Sequence, residues 1–506
     1  MDKVILAMTA SIVYIVGVMG LGVWASRKIK NIIDYAVAGR KLGFWLTFGT
    51  ILATWFGTGV AVGGASMAYS FGLRGVIMDP IGAGLSILLF GLFFASMLRK
   101  LRYVTISDFF RVKYGRAMEL ASLIVQVIAY MGWMAALLLT FGSIFKVYLN
   151  IPWEQGLILG TIVTIAYTTL GGLWAVALTD LIQMIIFITG LILAIPFVIS
   201  AAGGLENIAS KIPANAYSIL PGSGFEYLGY IGLLGLMFYI SSWLVQGLGA
   251  ISCQDLVQRA LAAKDAKTSK YASIASAIGY WTIGLIPALI GIWARLALPS
   301  LENSDVVLPT VALKFLPPWV FVIFSVGLLA ALMSSADSAT LIPPSIIAWN
   351  LLPMIKPSVS ERTKLIVARA LVPVIALTSL AIALWAKTIY FLMNLSWELI
   401  LMVQAIPFIL GMYWKKANRL AAISSVIVNF AIWIPLTLYL LPVTLKVEEG
   451  VLEWAIWDAI YIAALPALIA GTITFFIVAL ATQKIDPPKP IVPMEEKQSE
   501  KQTVSD

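Results

Sequence analysis

The 506-residue chain has no histidine, a single cysteine and little charge, with 12% of its residues Asp, Glu, Lys or Arg, about half the share of an ordinary soluble domain. Each scarcity excludes chemistry. The absence of histidine removes the side chain that titrates near neutral pH, together with most transition-metal ligation and nucleophile–base pairing. With Cys253 as the one thiol, neither an internal disulfide nor a cysteine metal cluster can form. The chain is therefore expected not to be an enzyme, and no organic cofactor is expected. What fills the sequence instead is apolar residues, 60% of the total, and they run in stretches of the roughly 20 residues that cross a bilayer.

Thirteen such spans are expected, beginning near residues 4, 44, 76, 119, 153, 175, 227, 271, 319, 365, 387, 420 and 454. The fold class is thus an all-α polytopic membrane protein. The net charge of +9 does not lie on one soluble face, as binding of nucleic acid would require, but in short loops. Alternate loops hold 22 Lys and Arg against 8 on the opposite side. By the excess of basic residues on the cytoplasmic side, the N-terminus is outside and the C-terminus is cytoplasmic. Met1-Asp2-Lys3 lacks the basic start of a signal peptide, so the first span is expected to be retained. From Thr482 to Asp506 the chain turns to Lys, Glu, Pro and Ser, which reads as a solvated, disordered tail.

Polar residues inside such spans need a reason. In Ala331-Leu332-Met333-Ser334-Ser335-Ala336-Asp337-Ser338, the helical period puts Ala331, Ser334, Ser335 and Ser338 on one face. Three hydroxyls beside an accessible carbonyl suit a hard cation, which takes oxygen ligands; they equally suit close packing of two membrane helices. Asp337 favours function, because an ionisable group within a span is costly. The second span carries four glycines from Gly57 to Gly64, and Gly247 and Gly249 interrupt the seventh. Helix breaks at membrane depth free carbonyls that bind ions in transporters, and two such spans in corresponding positions point to an inverted repeat. Asp180 lies eight residues beyond Gly172, about 12 Å along a helix, with no basic residue between Lys146 and Lys211. A bound cation, or the hydroxyls of Ser334 and Ser338, would satisfy it. Asp79-Pro80 reads as the N-cap and first turn of the third span, and Glu398 as either an outer-gate or an interfacial residue.

The run Gly171-Gly172-Leu173-Trp174-Ala175-Val176, then Thr179-Asp180 and Gln183, resembles the sodium:solute symporter family, as do the Ala-x-x-Ser-Ser stretch at 331–335 and Ala53-Thr54. The resemblance covers roughly residues 1–480. Its local matches to the high-affinity choline transporter branch are Ala53-Thr54-Trp55, Tyr103-Val104-Thr105, Gln258-Arg259, Met333 to Ser338 and Lys387-Thr388. It implies a five-plus-five inverted repeat with broken helices 2 and 7. Repeat one would span about 44–202 and repeat two about 225–413, with extra helices at 4–26, 418–441 and 454–481. The transporter domain would be 1–481 and the cytoplasmic tail 482–506. One sodium ion would be held by backbone oxygens of Ala53, Phe56 and Ala331 and by Ser334 and Ser335; a second would lie near Asp180, Ser334, Asp337 and Ser338. Trp55 and Trp133 match aromatic positions around a quaternary ammonium, which favours ring faces, and Cys253 stands where those relatives carry another tryptophan. The expected activity is sodium-coupled uptake of a small choline-, betaine- or proline-like solute across the plasma membrane. A proton-coupled carrier using Asp180 or Asp337 and a non-transporting solute receptor remain as alternatives.

Overall fold

The computed structural model describes residues 3–386 and 389–494, without the side chains of Tyr167, Leu170, Tyr390, Phe391 and Asn394. The Lys387-Thr388 motif and tail residues 495–506 lie outside the described residues. Helices account for the whole architecture; among the described residues only two isolated bridges of β type occur. Eleven helical segments are long and apolar enough to cross a membrane, and two shorter apolar helices, Phe44–Trp55 and Trp153–Ala166, accompany them. Large apolar side chains such as Ile12, Val13, Val16, Ile427 and Leu438 face outward, as the hydrocarbon of a bilayer requires.

Twelve helices matter for the site: α1 (Lys3–Ser26), α2 (Phe44–Trp55), α3 (Ala65–Phe71), α4 (Arg116–Leu149), α5 (Trp153–Ala201), α6 (Gly232–Gly247), α7 (Gln254–Ala262), α8 (Ala266–Ala297), α9 (Pro318–Ile346), α10 (Ile389–Ile400), α11 (Arg419–Val447) and α12 (Leu452–Ala481). At the centre stands α9, buried at every residue from Phe324 to Ile346, and packed along α5, α4 and α1. That environment explains why a segment this polar can lie at membrane depth: its hydroxyls face protein, not lipid. On the other side of α2 and α3 lies α8.

Both glycine-rich spans are broken. Helix α2 ends at Trp55; the Phe56 amide bonds back to the carbonyls of Leu52 and Ala53, both at 3.2 Å, and the chain continues through a wide turn at Gly59–Gly64 into α3. The seventh span runs as α6, a tight turn at Gly249–Ser252, an extended Cys253, then α7. In α5, Gly172 adopts φ 50° and breaks the helix, a left-handed conformation that glycine takes without steric cost. Leu42 and α7 are joined by two backbone hydrogen bonds, Leu42 N–H to Ala262 O at 3.0 Å and Lys264 N–H to Leu42 O at 2.8 Å.

Part of the tail, residues 483–494, is among the described residues. Residues 483–494 lie against the protein: Lys113 Nζ donates to Lys489 O at 2.9 Å, Tyr103 Oη to Val492 O at 2.8 Å, and the Met494 amide to Leu101 O at 2.9 Å. Asp486 accepts from the Leu420 amide at 2.8 Å at the start of α11. Pro487, Pro488, Pro490 and Pro493 hold the segment extended and remove its own donors, which leaves carbonyls free to accept from Lys113 and Tyr103.

Candidate functional site

The hydroxyl face of α9 meets the end of α2. Ser334 Oγ donates to Ala53 O and Ala331 O, each at 2.8 Å, and Ser335 Oγ to Thr54 O at 2.7 Å, with Ala331 O at 3.4 Å. Ala53, Ala331, Ser334 and Ser335 are therefore brought together, and Thr54 joins them. Phe56 is one turn further on; among the described residues neither hydroxyl bonds to it, and its ring packs on Phe187 and Tyr280. Gly57 explains the closeness: a Cβ there would lie 2.1 Å from Ser335 Oγ. Hydroxyl groups rotate freely to present lone pairs, so these carbonyl and hydroxyl oxygens can turn from one another toward a cation between the two helices.

Deeper toward α5 lies a buried charge cluster. Asp180 Oδ2 accepts from Thr50 Oγ1 at 2.5 Å and lies 3.8 Å from Arg259 Nη2. Arg259, fully buried, also donates through Nε to Thr50 O and Thr50 Oγ1, through Nη1 to Asp255 O, each at 3.1 Å, and through Nη2 to Ser338 Oγ. Ser338 Oγ sits 3.1 Å from Asp337 Oδ1 and 3.1 Å from Ser334 O. The sequence suggested a cation or the hydroxyls of Ser334 and Ser338 as the partner of Asp180. The hydroxyl that meets it is that of Thr50 instead, and a guanidinium stands beside it that sequence proximity could not reveal. Arg259 counts among the basic loop residues in sequence, yet its place at i+4 from Asp255 on the helix just beyond a break was the available signal. Two carboxylates, Asp180 and Asp337, share this one base, and their oxygens Asp180 Oδ1 and Asp337 Oδ2 accept no hydrogen bond among the described residues.

On the other side of the α2 break is a narrow cavity lined by Trp55, Gly57, Gly59, Asp79, Trp133, Gln246, Asp255, Tyr280, Met393 and Trp397. Its walls are aromatic. Trp55 stacks on Trp397 at 6.4 Å and meets Tyr280 edge-on at 6.0 Å; Trp133 and Tyr130 lie 5.5 and 6.2 Å from Trp397. Tyr280 Oη lies 2.6 Å from Asp79 Oδ1 and 2.8 Å from Trp55 O.

Trp55 and Trp133 both line this cavity. Cys253 does not: it is fully buried behind the wall, at the start of α7, with Sγ donating to Ala250 O at 2.8 Å. Asp79 has an extended backbone before Pro80 (φ −144°, ψ 118°), but its carboxyl lines the cavity, where Oδ1 accepts from Tyr280 Oη. Gly59 makes room for it, since a Cβ there would lie 2.1 Å from Asp79 Oδ2. Asp255, Tyr280 and Trp397 were not singled out in sequence. Tyr280 lies 201 residues from Asp79, and no local pattern joins them. Glu398 is fully buried rather than interfacial, and its carboxyl has no partner among the described residues.

Two broken helices frame a hydroxyl row and an aromatic cavity, the arrangement in which secondary transporters bind ion and solute, and the sodium:solute symporter family model matches residues 35–429. The chain belongs to that family. It is 30% identical over 438 residues to the high affinity choline transporter 1 of Homo sapiens, covering 82% of this chain and 74% of that one. It is 28% identical over 436 residues to the sodium/pantothenate symporter of Haemophilus influenzae, covering 84% and 89%. Among solved structures, a sodium-coupled sialic acid symporter in its substrate-bound outward-open state shares the fold, with a TM-score of 0.76 at 21% identity over 93% of this chain and 97% of that one.

Proposed function

We propose that the protein is a sodium-coupled symporter that imports a small organic cation by alternating access. The observation that carries this reading is the cavity at the α2 break, whose aromatic walls include two carboxylates, Asp79 and Asp255, and no basic residue. Ring faces and carboxylates attract an ammonium group. The same walls repel the carboxylate of pantothenate or sialic acid, so the solute differs in charge from those of two of the relatives and agrees with the choline of the third.

Sodium would bind first, between α2 and α9, at Ala53, Phe56, Ala331, Ser334 and Ser335. A second sodium at Asp180, Asp337 and Ser338 is supported by charge: two carboxylates against the single Arg259 guanidinium leave one negative charge for a cation to balance. With the ions in place the solute site at Trp55 and Trp133 is complete, and the two repeats rock to face the cytoplasm. A ligand shifts such an equilibrium only by its differential affinity for the two states, so coupling requires ion and solute to favour the same ones. The setting is the plasma membrane, with the N-terminus outside and the C-terminus inside.

The test is uptake of labelled choline, betaine and proline into sealed liposomes under an inward sodium gradient, against potassium on both sides. Sodium-driven accumulation of the cation is expected, and Ser334→Ala and Asp180→Asn should each abolish it while the proteins remain monodisperse. Accumulation driven by an acid gradient without sodium would replace this reading with proton coupling through Asp180 or Asp337. Saturable binding without flux in any gradient would replace it with a receptor.

A further inference from the structure

Taking this cavity as the solute site, as proposed above, we infer that its preferred solute carries two ammonium groups with N–H donors, as in a short α,ω-diamine, rather than one quaternary ammonium. The two carboxylates line the same cavity and are held by different tyrosines. Asp79 is held by Tyr280, which packs on Trp55; Asp255 is held by Tyr130, which packs on Trp133 and Trp397. Tyr130 Oη donates to Asp255 Oδ1 and accepts from the Asp255 amide at 2.8 Å. Each acid thus has a tyrosine of its own fixing one oxygen.

The other oxygen is the informative one. Asp255 is fully buried, lines the cavity, and its Oδ2 accepts no hydrogen bond among the described residues. The nearest base in sequence, Arg259, bonds the Asp255 carbonyl, and its other contacts are to Thr50, Ser338 and Asp180. A buried carboxylate needs both a counter-charge and donors. A trimethylammonium group supplies charge but no N–H, and one such group leaves the second acid unbalanced. A diamine supplies a positive end with donors to each acid, and its methylene chain suits the tryptophan rings that line the same cavity.

The experiment measures binding of radiolabelled 1,4-diaminobutane to the purified full-length protein in sodium, competed by unlabelled 1,4-diaminobutane, butylamine and choline. The diamine should compete at concentrations at least about tenfold below those of butylamine and choline, the difference expected from one additional charge-assisted hydrogen bond. Asp79→Asn and Asp255→Asn should each bring the diamine to the level of butylamine and move choline much less. Tighter binding of choline than of the diamine, equal binding of all three, no binding of any, or a diamine-to-choline ratio unchanged in both variants would overturn the inference. If the variants do not purify as folded protein, the ranking in the unaltered protein decides. Diamine that binds as expected but is not accumulated under a sodium gradient would count against symport and leave the diamine assignment standing.

Discussion

Removing the Arg259 guanidinium would leave Asp180 and Asp337 buried without a base. Breaking a buried ion pair from one side costs about 3–5 kcal/mol, so Arg259→Met should lower the melting temperature in detergent far more than Arg259→Lys, which keeps the charge but loses the fork that reaches Thr50 and Ser338 together. At Gly57 the expected effect is on transport. A methyl group placed 2.1 Å from Ser335 Oγ forces α2 and α9 apart, and overpacking of this kind costs about 1–3 kcal/mol. Gly57→Ala should raise the sodium concentration for half-maximal uptake about tenfold or more, read from sodium titrations of initial rates. The serines of α9 could be found in sequence because all lie on one turn-and-a-half of a single helix. Arg259, Tyr280 and Asp255 could not, because what defines each is a partner on another helix, 79, 201 and 125 residues away in turn.

The helix breaks were legible for a local reason: glycine weakens a helix wherever it stands, and four within eight residues mark a place. Their purpose was not. Gly57 admits Ser335 and Gly59 admits Asp79, which are packing facts. Two elements outside the membrane carry predictions of their own. Asp265 caps α8 by accepting from the Thr268 amide at 2.7 Å, and that hydrogen bond holds its carboxyl below the ordinary value of 3.8. A carboxyl depressed on folding stabilises above its unfolded pKa and loses that contribution as pH falls through the folded value. Protection of the first turn of α8 against hydrogen exchange should therefore be constant from pH 7 to about pH 4 and fall below it, and Asp265→Ala, at a cost of about 1 kcal/mol, should abolish the change. For the tail segment, Tyr103→Phe deletes the donor to Val492 O and should weaken docking by about 0.5–1.5 kcal/mol, visible as faster proteolysis between residues 483 and 494.

Across the whole molecule, sodium that binds the folded chain and not the unfolded one should stabilise it, by about 2.7 kcal/mol at a hundred times its dissociation constant. The melting temperature should be higher in sodium chloride than in potassium chloride of equal ionic strength, and Ser334→Ala with Ser335→Ala should remove the difference. At this scale the sequence was most informative, since scarcity of charge and runs of apolar residues follow from the bilayer alone. The expected thirteen spans correspond less simply to helices, because α5 carries two of them across the Gly172 break and the second and seventh are each divided. The docking of residues 483–494 was not visible in composition, since extended proline-rich chain reads alike whether it is free or held.

Cys253, with no other thiol in the chain and its own sulfur closed behind the cavity wall, makes the native protein a ready background for site-directed labelling. A cysteine introduced on the outward faces of α3 or α11 would take a spin label or a fluorophore without removal of the native residue, and distances between such pairs would test the proposed alternating access. Reaction of Cys253 itself with a small maleimide would then report any state in which the start of α7 opens to water.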